Sequence, residues 1–160
     1  MAYESTDVAV SKSQEGIRQL VMRRGGGKLA FISDPPREGF EAVVVIDSLP
    51  YRVRLMGECK VLPPTQRKVR HYRGRVVTAR EVETTPDQQA DHYDQECKRI
   101  WRVLFYHLKS VFEAADSGVM EFRELILPYI VTSNNKTIAE QLLPQLDKAI
   151  QSNPNRLLNQ

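Results

Sequence analysis

Residues 90–116 read ADHYDQECKRIWRVLFYHLKSVFEAAD, the longest helical pattern in the chain. Cys97, Ile100, Trp101, Leu104, Leu108, Val111, Phe112 and Ala115 recur at three- and four-residue steps. At about 100° per residue they share one face of a helix. Asp91, Lys98, Arg102, Lys109, Glu113 and Asp116 fall on the opposite face. The only Trp and two of the five Phe, Phe105 and Phe112, lie in this stretch. A helix with such an apolar face is a core helix on which the other elements must pack.

Working outward from it, the N-terminal side reads as a short helix and then strands. Ser11 and Gln14 have capping-box spacing, Ile17, Leu20 and Val21 form an apolar stripe, and Gly25-Gly26-Gly27 stops the helix. Lys28–Ser33, Glu41–Asp47 and Tyr51–Met56 have strand composition. The last of these alternates, with Tyr51, Val53 and Leu55 on one face and Arg52 and Arg54 on the other. The turns at 34–39 and 48–50 are short, which implies an antiparallel meander with one face on the core and one wet. On the C-terminal side, Met120–Leu127 reads as a short helix ended by Pro128. Thr137 and Glu140 form a second capping box, and Ala139, Leu142, Leu143, Leu146 and Ile150 stripe a last helix with a bend at Pro144. The expected fold is α+β: a meander of three or four strands against a helical layer, in the order α-β-β-β-excursion-α-α-α.

The excursion lies between the third strand and the core helix. Lys60–Arg80 holds Lys60, Arg67, Lys68, Arg70, Arg73, Arg75 and Arg80 and no acid. Glu81–Cys97 holds Glu81, Glu83, Asp87, Asp91, Asp94 and Glu96 and no Lys or Arg. Pro63-Pro64 and Gly74 indicate either a long loop or an added hairpin, with a short strand at Arg75–Ala79. Having few apolar groups to bury, the segment is expected to order on a partner. The domain is expected to span 11–151, with a flexible N-terminus at 1–10 and a loose tail at 152–160.

The 160 residues suit one domain, and 41% hydrophobic with 27% charged content is ordinary for a globular protein. No apolar run reaches the roughly 18 residues of a membrane span, and the N-terminus lacks a secretory pattern. With only Cys59 and Cys97, the expected setting is the cytoplasm. A net charge of +3 is too small to imply nucleic acid by itself.

Several chemistries fit poorly. Arg23–Lys28 (RRGGGK) resembles a phosphate loop, but its glycines follow a helix and Leu29 stands where Ser or Thr is needed. Cys59, Cys97, His71, His92 and His107 match no zinc template. Glu121 and Glu124, three apart, suit a solvated helix face better than acid–base work. A non-enzymatic protein without metal or cofactor is therefore expected.

The basic segment is the leading site. Single-stranded nucleic acid is held by cations along the phosphates and by aromatics stacked on bases. Arg67, Lys68, Arg70, Tyr72, Arg73 and Arg75 supply both, and Arg52 and Arg54 extend the surface. The competing explanation is a solvated loop neutralised by the acidic stretch that follows. If the opposed charge blocks instead steer a protein, the chain is an adaptor or inhibitor of a host or phage protein, for instance an anti-defence factor.

Gln95–Leu104, His107–Gly118, Phe122–Val131 and Thr137–Gln145 carry a further pattern, most specific at Trp101-Arg102 and at Phe122 with Tyr129-Ile130-Val131. Over roughly residues 11–150 the chain resembles a family of small uncharacterised proteins common in bacteriophage, prophage and metagenomic sequences. It departs from that family's usual Asp-Gly turn at Asn134-Asn135-Lys136. The resemblance implies a phage or mobile-element origin and a bacterial host cytoplasm. It implies no activity, cofactor or catalytic residue.

Overall fold

In chain order the elements are α1 (Val10–Arg23), β1 (Leu29–Asp34), β2 (Arg37–Ile46), β3 (Leu49–Glu58), β4 (Thr65–Tyr72), β5 (Arg75–Glu83), α2 (Pro86–Asp116), α3 (Phe122–Ile126), a 3-10 turn (Leu127–Tyr129) and α4 (Ile138–Ser152). They come from a computed structural model that describes residues 6–152, with side chains at all of these except 70–72 and 76–79. Of the expected termini at 1–10 and 152–160, residues 1–5 and 153–160 lie outside the described residues, while Val10 opens α1 and Ser152 ends α4. The α+β class and the strands-then-helices order are as expected, with two strands in place of the excursion.

α2 is the expected core helix, but it starts at Pro86 rather than Ala90. A capping box explains the earlier start: Gln88 N–H donates to Thr85 Oγ1 and Thr85 N–H donates to Gln88 Oε1, with Pro86 opening the helix. The acidic residues from Asp87 onward therefore belong to α2 and not to the excursion. Ile100, Trp101, Leu104, Leu108, Val111 and Phe112 are buried, as their spacing requires. Gly118, in left-handed conformation, follows the helix end.

β1, β2 and β3 form an antiparallel sheet in that order. β2 begins at Arg37, four residues before the expected Glu41, because the β1–β2 connection is a tight turn through a cis Pro35–Pro36 bond. Phe40, Ala42, Val44 and Ile46 thus share one face and are buried with Val53 and Leu55 of β3. Ile17 and Val21 of α1 and the apolar face of α2 cover them. Trp101 is 1% exposed and meets Phe31 edge-on at 5.4 Å between ring centres. Asp47 and Ser48 both have positive φ, the two-residue turn that matches strand twist in a hairpin.

The glycine run after α1 is a packing device. A Cβ on Gly26 would lie 2.4 Å from Val21 and 2.7 Å from the Val43 carbonyl oxygen, so only glycine lets the chain pass from helix to sheet here. The capping box expected at Ser11 and Gln14 is absent. α1 begins two residues earlier, with Ala9 at the cap position, where the N–H groups of Lys12 and Ser13 donate to the Ala9 carbonyl and no side chain caps the end.

Beyond β3 the sheet is extended by a short return of the chain. Val131 N–H donates to the Arg52 carbonyl at 2.8 Å, and Val53 bridges Ile130. The second capping box is present: Thr137 N–H donates to Glu140 and Glu140 N–H to Thr137 Oγ1. α4 then leaves the body with no buried residue, so Leu142, Leu143, Leu146 and Ile150 form a stripe that lies in solvent. No helix among the described residues is long and apolar enough to cross a membrane.

Candidate nucleic-acid interface

Of the two expected forms of the basic excursion, long loop or added hairpin, the structure has the hairpin, with its second strand running to Glu83 rather than ending at Ala79. Thr65–Tyr72 and Arg75–Glu83 pair as an antiparallel two-stranded ribbon, separate from the main sheet. Arg73 (φ 48°) and Gly74 (φ 77°) make the two-residue turn between them, the left-handed pair that a tight hairpin requires. Arg73 occupies a position that glycine or asparagine fills more easily, at a cost of about 1 kcal/mol. The two strands hydrogen-bond to each other within the chain, and their outer edges are open. At its base, Thr84 N–H donates to the Pro64 carbonyl and Thr84 Oγ1 donates to the Pro63 carbonyl.

Register decides what the charges do. Residues opposite one another on antiparallel strands share a face. Lys68 stands opposite Arg80, and Gln66 opposite Val82, so this face carries two adjacent cations and no acid over these pairs. Arg67 stands opposite Glu81 and Thr65 opposite Glu83, so on the other face an acid balances the one cation and a second acid is left over. Arg67, Lys68, Arg73, Arg75 and Arg80 are all exposed. Arg70 lies opposite Thr78 and Tyr72 opposite Arg75, with a bulge between Arg70 and His71. Val69, on the same face as Arg67, is 40% exposed, which is consistent with an arm that has no core of its own.

Arg52 and Arg54 have a different setting. They project from the outer face of β3 onto Glu41 of β2, where Arg52 ion-pairs with one carboxylate oxygen and Arg54 reaches the other at 2.8 Å. Both also donate to the Asn135 side-chain oxygen, at 2.8 and 3.0 Å, and Arg54 donates to the Asn135 carbonyl. Hydrogen bonds from Arg52, reinforced by Arg54, hold the Glu41 carboxyl below its ordinary range. These two arginines tie the sheet to the Asn134-Asn135 turn.

Two acidic residues that the sequence reading passed over organise the ground beneath the arm. Glu38 is 5% exposed and accepts from Trp101 Nε1 at 3.2 Å, Tyr93 hydroxyl at 2.9 Å and Ser33 hydroxyl at 2.7 Å. Glu96 accepts two hydrogen bonds from Arg99 and one from the Lys60 N–H at 2.9 Å. Chiefly through Arg99, with the Lys60 N–H adding to it, its carboxyl is lowered to about 2 despite partial burial. The Lys60 carbonyl in turn meets His92 at 2.9 Å. The chain leaving β3 is thereby fixed to the first turns of α2 before the ribbon begins.

A cleft of about 710 Å³ lies at the far end of the molecule, between the β2–β3 turn and the α2–α3 connection. Glu121 and Glu124 line it, as does Arg24, whose guanidinium packs over the Phe112 and Phe122 rings and pairs with Asp116. Both glutamates are exposed, as their spacing indicated.

No protein-family model, curated protein or solved structure matches the chain.

Proposed function

We propose that the protein is a non-enzymatic accessory protein of a phage or related mobile element. It acts in the bacterial cytoplasm and binds nucleic acid, single-stranded or structured, through the β4–β5 ribbon. The observation that carries this reading is the pairing of Lys68 with Arg80 on a face without an acid. Like charges directly opposite on a ladder are destabilising, and a phosphate backbone relieves that repulsion by taking the place of counterions. The competing role for such charges is to keep two open strand edges from pairing with other chains. Adjacent bases serve that purpose with or without a ligand, so the binding titration separates the two roles. The test is titration of fluorescent single-stranded and hairpin DNA and RNA with wild-type protein at low salt. Saturable binding that weakens as salt rises supports the reading, and absence of any shift at micromolar protein refutes it. Neutralising Arg67, Lys68, Arg70 and Arg73 together weakens the binding and flattens its salt dependence.

A second reading rests on α4. Its exposed stripe of Leu142, Leu143, Leu146 and Ile150 suits a protein groove that accepts one face of a helix. In that case the chain is an adaptor or inhibitor acting on a host or phage protein. Recovery of one stoichiometric protein from nuclease-treated host lysate, lost on substituting Leu143 and Leu146 by Gln, supports it. Recovery that is unchanged by those substitutions counts against it.

A further inference from the structure

Cys59 and Cys97 are 38 residues apart in sequence and lie on different elements, yet their sulfurs approach to 3.9 Å. Cys59 immediately follows β3 and is 2% exposed, while Cys97 is on α2 and only partly covered. The backbone around them is already held: Cys59 N–H donates to the Pro36 carbonyl, and Lys60 N–H donates to Glu96, the neighbour of Cys97. Both thiols are free. A disulfide needs the sulfurs at about 2.05 Å, which side-chain rotation of two fixed and adjacent residues can supply.

We propose that Cys59 and Cys97 are a dithiol site that closes to an intramolecular disulfide when the chain meets a low-molecular-weight disulfide oxidant such as oxidised glutathione. Cys97, the more accessible, reacts first. Its thiolate attacks one glutathione sulfur, the glutathione S–S bond breaks, and one glutathione leaves as thiolate and takes up a proton. Cys59 then loses its proton to solvent, and its thiolate attacks Cys97 Sγ and expels the second glutathione. Two protein thiols are oxidised and one glutathione disulfide is reduced to two thiols. The product links the strand that leads into the ribbon to the helix that follows it, closing a covalent loop around the whole arm.

The surroundings make the site slow rather than reactive. Burial, with the neighbouring Cys97 adding to it, pushes the Cys59 thiol up to about 12, and burial also raises Cys97. The thiolate is the attacking species, so closure accelerates as pH rises above neutrality.

The experiment incubates the full-length wild-type protein with oxidised glutathione at several pH values and reads intact mass and mapped peptides. The expected product has lost two hydrogens, carries a Cys59–Cys97 cross-link, forms faster at higher pH and reverts with dithiothreitol. Its unfolding midpoint lies roughly 5–10 °C above that of the reduced form, as loop closure of this length implies. Cys97→Ser is expected to give no cross-link and no midpoint shift. A product that retains glutathione, one linked only between chains, or one whose two thiols still titrate at equilibrium overturns the proposal.

Discussion

The outer face of the β1–β3 sheet and the β4–β5 ribbon both display arginines on antiparallel strands, and the two sets behave in opposite ways. On the sheet, Arg52 and Arg54 share Glu41 and lean on Asn135, so one of their two charges is offset inside the molecule and both side chains are held in place. On the ribbon, Lys68 meets Arg80 across the ladder. In sequence both sets lie in short strand-like stretches, YRVRL at 51–55 and QRKVR at 66–70. What separates Arg54 from Lys68 is register, which sets Glu41 opposite the first and Arg80 opposite the second. A basic run becomes an interaction surface only where the fold leaves its charge uncompensated.

The comparison extends to stability, and the largest effect expected is in the body. Trp101→Ala removes a fully buried indole and leaves Glu38 without one of its donors, so it should cost roughly 3–5 kcal/mol by thermal or denaturant unfolding. Glu96→Gln loosens the seam beneath the arm and should cost roughly 1–3 kcal/mol near neutral pH. Its pH dependence has a definite sign. The Glu96 carboxyl lies at about 2 when folded and near its ordinary 4.5 when unfolded, so below pH 4.5 the unfolded chain binds more protons. Glu96 therefore stabilises the fold fully above pH 4.5 and progressively less down to pH 2. The variant should lack that part of the acid slope in urea midpoints taken between those values.

The ribbon should respond weakly. Replacing residues 64–84 by a short Gly-Ser linker spares every buried apolar residue of the core and joins chain ends that the Thr84–Pro64 hydrogen bond holds close together. Loop-closure entropy changes slowly with length, so the unfolding free energy should shift by about 1 kcal/mol or less. If the protein unfolds instead, the arm is part of the body and the comparison fails. The smallest effect carries the most information. Lys68→Glu turns a like-charge pair into an opposite one and should stabilise the protein by about 0.2–1 kcal/mol while weakening nucleic-acid binding. A change that helps the fold and harms the function marks a charge retained for a partner.

Much of the body was legible in the sequence because burial imposes a period. The apolar face of α2, the alternation in β3 and the capping box at Thr137 follow from spacing alone. Glu38 was legible in principle. It has the same parity as Phe40, Ala42, Val44 and Ile46, and reading β2 back to Arg37 would have placed its carboxylate inward, toward Trp101. The polar turn composition around Pro35-Pro36 concealed the start of that strand. The ribbon was legible only as one of two alternatives, long loop or hairpin: with no core to face, its strands carry no apolar alternation, and only Arg73-Gly74 hints at a turn. The Arg52–Glu41–Arg54 network and the approach of Cys59 to Cys97 depend on tertiary placement that no spacing encodes. For α4 the stripe was read correctly, but an apolar face does not name what covers it.

The most direct test of the account compares salt dependence for two paired neutralisations. The logarithm of the affinity for a labelled oligonucleotide falls with the logarithm of salt in proportion to the phosphates neutralised, by about 0.7 per contact on single strands and 0.9 on duplex. Lys68→Gln with Arg80→Gln should therefore reduce the slope by about 1.4–1.8. Arg52→Gln with Arg54→Gln should leave it unchanged, since those charges are already held by Glu41. Equal loss from both pairs, or loss from the sheet pair alone, would contradict the assignment of the interface to the ribbon.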